Sequence, residues 1–132
     1  MINICRFEDA VRWIDVPAEE RVIVFPTAAY QPPCVAIEAG QTVTWSGNFG
    51  SHPLKGGLHK GGPPQPGNPI PTVLSGSTPV EVTFPEAGAW GYFCIAHEPP
   101  MSGAVFVALF ADGFESGDAC DWSAVTDPPT CP

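Results

Sequence analysis

Short apolar runs separated by turn residues dominate the hydrophobic pattern of this chain of 132 residues. Val43 and Trp45 alternate with Thr42 and Thr44, and a period of two is typical of a half-buried strand. The runs that we predict as strands are residues 22–25, 34–38, 41–46, 80–84, 90–94 and 103–108. Repeated short strands with turn signals between them predict an all-β fold, an antiparallel sandwich without a helix of more than ten residues.

Three segments interrupt this pattern. Residues 12–16 suit either a short strand or a short helix, and residues 86–89 suit a turn. Between residues 47 and 71 no periodicity survives, and residues 50–71 contain six Gly and six Pro. We therefore predict a long loop there, which either shapes the mouth of a functional site or passively connects two sheets.

The composition favours one globular domain followed by a short extension. Hydrophobic residues make up 44% of the chain and charged residues 14%, so the chain is not disordered by composition. We expect a single domain over residues 1–108. Residues 109–132 are acidic, with no Lys or Arg, and form either a solvated, stapled tail or a calcium-binding segment.

The formal net charge of −9 limits the classes of partner. Nucleic acids and anionic membranes are disfavoured, because binding to phosphate requires a basic surface. The acidity either steers a basic protein partner or only keeps the chain soluble. No stretch is long enough for a transmembrane helix. Residues 1–4 lack the features of a signal peptide, so we expect a mature chain with an added Met1.

Five Cys residues leave one unpaired if the others form disulfides. If Cys94 binds a metal, the remaining four allow three pairings. Cys120–Cys131 is the local pairing, and Cys5–Cys34 would accompany it. In a reducing cytosol all five would be thiols, and their spacing does not match a zinc site. We favour a secreted or periplasmic chain, in which the disulfides can persist.

Three metal-binding side chains lie within eight residues, at Cys94, His97 and Met101. Each alone has a structural explanation, as a small buried residue, a surface histidine or a core methionine. Together they are soft or borderline donors that suit copper, and a site of two His, one Cys and a weak Met is typical of blue-copper electron transfer. His52 is the candidate for the second histidine. We therefore predict one type 1 copper site.

The order of these motifs resembles that of the cupredoxins, the type 1 blue copper proteins. The matching segments are residues 39–45, 51–54, 82–84 with 87–88, 92–94, 97 and 101–107. The resemblance spans roughly residues 20–108. It implies a Greek-key β-sandwich with copper near one end. It also implies that His52, Cys94 and His97 are equatorial ligands and that Met101 is the axial ligand.

The resemblance further implies a small secreted or periplasmic electron-transfer protein that cycles between Cu(I) and Cu(II) and is not an enzyme. We expect a monomer that docks transiently with redox partner proteins near His97. An apolar rim of Leu54, Pro99 and Pro100 would surround that histidine. The alternative function is a copper chaperone or storage protein. A redox enzyme and a purely structural β-domain are less favoured.

Two features depart from the family pattern. Three residues separate His97 from Met101, a spacing between those of two branches of the family. The family often uses the backbone N–H after its first His to donate a hydrogen bond to the Cys sulfur. Pro53 occupies that position and has no N–H. We expect a missing donor to the thiolate and, in consequence, a lower reduction potential.

Overall fold

The computed structural model describes residues 2–58, 63–97 and 101–109. In these segments the chain forms nine strands and two three-residue 3-10 helices, which confirms the all-β prediction. The strands are β1 Val11–Arg12, β2 Val22–Thr27, β3 Ala29–Gln31, β4 Cys34–Glu38, β5 Thr42–Ser46, β6 Leu54–Gly56, β7 Val80–Thr83, β8 Gly88–Cys94 and β9 Ser102–Ala108. The 3-10 helices are Phe7–Asp9 and Ala18–Glu20.

The strands form the two sheets of a β-sandwich. One sheet has the order β1-β4-β9-β8-β6, and the other has the order β3-β2-β5-β7. The predicted antiparallel arrangement is wrong in part, because β1 with β4, β4 with β9 and β2 with β5 pair in parallel. These partners are not consecutive along the chain, and an apolar pattern encodes which face of a strand is buried rather than the direction of its neighbour.

All six predicted strands are present, with small shifts at their ends. The predicted turn at residues 86–89 is shorter, because β8 begins at Gly88. The prediction missed β3, and the long loop predicted for residues 47–71 is wrong where β6 pairs with β8. Strands of three residues are too short to show a period of two.

Side-chain amides fix part of the same segment to the backbone of β8. Gln65 donates from Nε2 to the Ala89 carbonyl at 2.9 Å, and its Oε1 accepts from the Gly91 N–H at 2.8 Å. Asn68 donates from Nδ2 to the Gly91 carbonyl at 2.9 Å. These amides therefore provide hydrogen-bond partners for the backbone groups of β8 that lie beyond the end of β6.

Two apolar clusters explain why β4 and β9 are continuous apolar runs. The main core lies between the sheets and contains Trp45, Phe84 and Tyr92, all fully buried. A second cluster on the opposite face joins Cys5, Cys34 and their neighbours under the N-terminal segment. Because both faces of β9 are covered, all seven of its residues are buried.

The N-terminal segment is attached covalently to this second cluster. A disulfide joins Cys5 to Cys34, at the start of β4, which confirms one of the pairings considered for the sequence. Asn3 reinforces the attachment by donating from Nδ2 to the Gly103 carbonyl at 2.8 Å. The predicted Cys120–Cys131 bridge lies outside the described residues, so the stapled tail and the domain division at residue 109 stay predictions.

Helices suited to spanning a bilayer were sought in residues 2–58, 63–97 and 101–109. None there has the length and apolar character that a crossing requires.

Opening the Cys5–Cys34 disulfide should lower the free energy of unfolding by about 3–4 kcal/mol, from the loop-closure entropy of its sequence separation of 29. Denaturant unfolding of a Cys5→Ser/Cys34→Ser double variant measures the change. The exposed Val11→Thr substitution in β1 is the control, with the disulfide intact. A loss below about 1 kcal/mol in the double variant would show that the disulfide adds little to the folded state.

Candidate metal centre

Cys94 is the last residue of β8 and is fully buried. Its N–H donates to the Met101 carbonyl at 2.9 Å, which closes the loop between β8 and β9. On the other side of β8, Cys94 is paired with Leu54 of β6. The thiol is therefore held by strands on both sides, and it is the one free cysteine among the described residues.

The loop after Cys94 positions the next two predicted donors. The N–H of His97 donates to the Cys94 carbonyl at 3.3 Å, and the N–H of Met101 donates to the His97 carbonyl at 3.1 Å. Met101 is fully buried in the main core, immediately before β9. Backbone hydrogen bonds thus fix both ends of the unusual His97-to-Met101 spacing.

His52 reaches the same place from the loop between β5 and β6. Its N–H donates to the Asn48 carbonyl at 3.0 Å, and Asn48 Oδ1 accepts from the Gly50 N–H at 2.8 Å. Such side-chain-to-backbone bonds stabilise a tight turn. Phe25 supports the imidazole edge-on, with ring centroids 6.0 Å apart.

Three of the four predicted donors converge. Nδ1 of His52 lies 3.2 Å from Nδ1 of His97. The sulfur of Cys94 lies 3.4 Å from Nδ1 of His97 and 4.0 Å from Nδ1 of His52. No other group of three or more His, Cys, Asp and Glu side chains with this geometry occurs in the described segments.

The size of this triangle fits a metal ion. A point about 2.0 Å from both nitrogens, in the plane of the three atoms, lies about 2.2 Å from the sulfur, close to the metal–nitrogen and metal–sulfur distances in protein sites. The donors are one thiolate and two imidazoles, a set that suits copper in trigonal geometry. The residues therefore fit one type 1 copper ion.

The protonation of His52 is compatible with this role. Burial, and secondarily the neighbouring His97, lower the pKa of His52 below its usual value. A neutral imidazole with its proton on Nε2 presents a lone pair on Nδ1, and metal binding requires that lone pair.

Pro53 lies directly beside the ligand loop. Its carbonyl accepts from the Ile95 N–H at 2.9 Å, so the two segments run side by side here. Its own nitrogen carries no hydrogen and cannot donate to the sulfur of Cys94. In the described residues, the side-chain polar contacts of that sulfur are with His52 and His97.

The predicted apolar rim is wrong in one residue. Leu54 is fully buried, because it pairs with Cys94 inside the sheet. Ile95, on the ligand loop, is 42% exposed and is the apolar residue that the sequence prediction missed. Pro99 and Pro100 lie outside the described residues.

The aromatic wall of the site was not predicted from the sequence. Phe25 and Tyr30 come from β2 and β3, and Phe25 also contacts Phe49 at a centroid distance of 5.2 Å. No motif marks these residues, because Phe25 reaches the His52 ring through packing between the sheets, and Tyr30 and Phe49 pack against Phe25. A buried aromatic in an early strand is an ordinary core residue in the sequence pattern.

No protein-family model matches the chain. The purple cupredoxin from Nitrosopumilus maritimus aligns with a TM-score of 0.50 and 24% identity, over 65% of this chain and 97% of that protein, which shows the fold. The copper-containing nitrite reductase from Thermus scotoductus aligns with a TM-score of 0.48 and 20% identity, over 65% of this chain. The chain spans only 21% of that enzyme, so the enzyme's activity is not carried over.

The sequence comparison is more specific. The chain is 35% identical to amicyanin from Paracoccus versutus over 101 residues, which are 76% of this chain and 74% of that protein. This identity accompanies a two-sheet fold and a donor set that fits type 1 copper. We conclude that the chain belongs to the amicyanin family of cupredoxins.

Proposed function

We propose that this cupredoxin carries single electrons between redox partners, with His52, Cys94 and His97 as equatorial copper ligands and Met101 as the axial ligand. The observation that carries the proposal is the convergence of a buried thiol and two imidazole nitrogens within 4.8 Å of one another. When bound, copper supplies one-electron exchange between Cu(I) and Cu(II).

The protein's contribution is to hold these donors still. Cys94 and Met101 are tied by a backbone hydrogen bond at the base of the loop, and His97 is tied to both. A rigid donor set that suits both valences of copper needs little rearrangement when the charge changes. Four protein donors leave no open position for a substrate, so the arrangement favours a carrier over an enzyme.

We propose that electrons enter and leave through His97. This ring is partly exposed, and the neighbouring Ile95 is 42% exposed, whereas Cys94 is fully buried. An apolar contact beside a partly exposed ligand suits small, short-lived complexes with partner proteins.

We propose an oxidising location, either the periplasm or the cell exterior. The Cys5–Cys34 disulfide supports this location, because such bonds persist outside the reducing cytosol. Cys94 forms no disulfide in the same protein, so its sulfur remains available to bind a metal as a thiolate.

Adding Cu(II) to the protein should produce an intense visible absorption band, because the Cys94 thiolate would donate charge to the metal. The Cys94→Ser variant should lose this band almost completely. Ile95→Ala, which changes an exposed neighbour, should keep it. Absorption spectroscopy with reversible one-electron voltammetry is the measurement. A colourless protein that binds only Cu(I) would instead indicate a copper chaperone or storage protein.

Met101→Leu should retain the visible band and raise the reduction potential. Leu fills a similar volume in the buried site, but it removes a thioether donor that stabilises Cu(II). Voltammetry of the copper-loaded variant measures the potential. An unchanged potential would contradict axial ligation by Met101.

Pro53→Asn should raise the reduction potential as well, because it restores a backbone N–H beside the Cys94 sulfur. A hydrogen bond to the thiolate weakens its donation to Cu(II) and so favours Cu(I). The comparison is between the potentials of the variant and the unsubstituted protein. An unchanged or lower potential would contradict the role assigned to position 53.

A further inference from the structure

Phe25 is in direct ring contact with one of the proposed ligands. Its ring centroid lies 6.0 Å from that of the His52 imidazole, and the two planes meet at 89°. Among the described residues, the other ring contact to His52 comes from His97, itself a proposed ligand. Phe25 is 3% exposed and belongs to β2, so it reaches the imidazole from the core. A perpendicular contact of this kind limits how the imidazole can turn.

The ring of Phe25 rests directly on the backbone of Gly47. The pairing of β2 with β5 aligns Val24 with Ser46, and one further step in this register places Phe25 opposite Gly47. A Cβ at position 47 would lie 2.6 Å from Cε2 of the Phe25 ring, closer than two carbon atoms can approach. The φ angle of Gly47 lies outside the left-handed region. The close approach of the ring, and not the backbone conformation, therefore requires glycine here.

Two further aromatic rings hold Phe25 in this position. The centroid of Phe49 lies 5.2 Å from that of Phe25, and the centroid of Tyr30 lies 5.6 Å from it. Both neighbours are buried in the main core between the sheets. Because a packed core resists displacement of its side chains, Phe25 cannot move away from His52 without a cost in packing.

The imidazole of His52 is less enclosed than the ring that supports it. An open cavity of about 420 Å³ is lined by Phe25, Gly47 and His52, together with neighbouring residues of β2, β5 and the following loop. His52 is accordingly partly exposed, whereas Phe25 is buried. Open space thus borders the imidazole on one side, and the fixed ring of Phe25 limits its rotation on another.

We infer that Phe25, seated on Gly47, is a positioning residue that sets the orientation of the His52 imidazole. The contact keeps Nδ1 of that imidazole directed toward the sulfur of Cys94, which lies 4.0 Å away. Phe25 is not a ligand, since it acts through His52. Groups that orient a metal-binding histidine change metal affinity when they are lost. The inference rests on the proposed copper function and adds how one ligand is held.

The test is the Phe25→Leu variant, with Phe84→Leu as the matched control. Phe84 is fully buried in the same core, and its ring contact in the described structure is with Trp45. Phe25→Leu should weaken Cu(I) binding by about tenfold or more, measured by competition with a chromogenic chelator. It should also shift the thiolate–copper absorption band of the Cu(II) form. Phe84→Leu should leave the affinity and the band unchanged.

Gly47→Ala tests the seat of the ring. In the otherwise unsubstituted protein, the added methyl group should displace Phe25 and shift the absorption band. In the Phe25→Leu background it should add little further shift, because Leu lacks Cε2 and Cζ, the two ring atoms nearest to position 47. An equal effect of Gly47→Ala in both backgrounds would show that position 47 acts independently of Phe25 and would contradict the inference.

A measurement on the metal-free protein separates positioning from packing. Phe25→Leu and Phe84→Leu should both lower the midpoint of denaturant unfolding, because each removes part of a buried ring. The two variants should therefore share a loss of stability and differ at the metal centre. If Phe84→Leu changes the copper affinity and the band as much as Phe25→Leu does, the cause is general loosening of the core and the inference is wrong.

The outcomes distinguish the two proposals. If the unsubstituted protein forms no thiolate–copper band, the proposed function and this inference both fail. If the band forms and Phe25→Leu matches the unsubstituted protein in Cu(I) affinity and absorption, only the inference fails.

Discussion

The pairing of β8 with β9 is the interaction on which the metal centre depends. These strands are aligned from Gly88 with Val107 to Phe93 with Ser102, and the Cys94 N–H then closes the loop by donating to the Met101 carbonyl. A slip of one residue would move the thiol from the core to the outer face of the sheet. The register of one hairpin therefore decides whether three of the four proposed ligands can meet.

The rest of the fold stabilises that hairpin from both faces. Aromatic side chains of the other sheet pack on its inner face, where Trp45 contacts Tyr92 at a centroid distance of 5.0 Å. The N-terminal segment covers the outer face of the hairpin, where Phe7 contacts Phe106. The Cys5–Cys34 disulfide fixes this segment to β4. A core packed on both faces resists movement of the ligands, and the proposed electron exchange requires that rigidity.

Much of the fold and most of the proposed site could be predicted from the sequence. The alternation in β5 and β7 and the apolar runs of β4 and β9 are strong local signals, and they predicted these strands. The soft and borderline donors of the 94–101 segment predicted a copper site. Strands β3 and β6 could not be predicted, because strands of three residues are too short to show a period of two. The parallel pairings could not be predicted either, because pairing between strands distant in the sequence leaves no local pattern.

The sequence by itself determined the chemistry: a thiol, two imidazoles and a thioether in an order typical of blue copper proteins, on a chain patterned for a β-sandwich. Only the tertiary structure decided the distances between the donors, the burial of Leu54, the Cys5–Cys34 pairing and the contact between Phe25 and His52. The physical reason is that donor chemistry is a property of single residues. Distance, burial and partnership arise when segments far apart in the chain pack together.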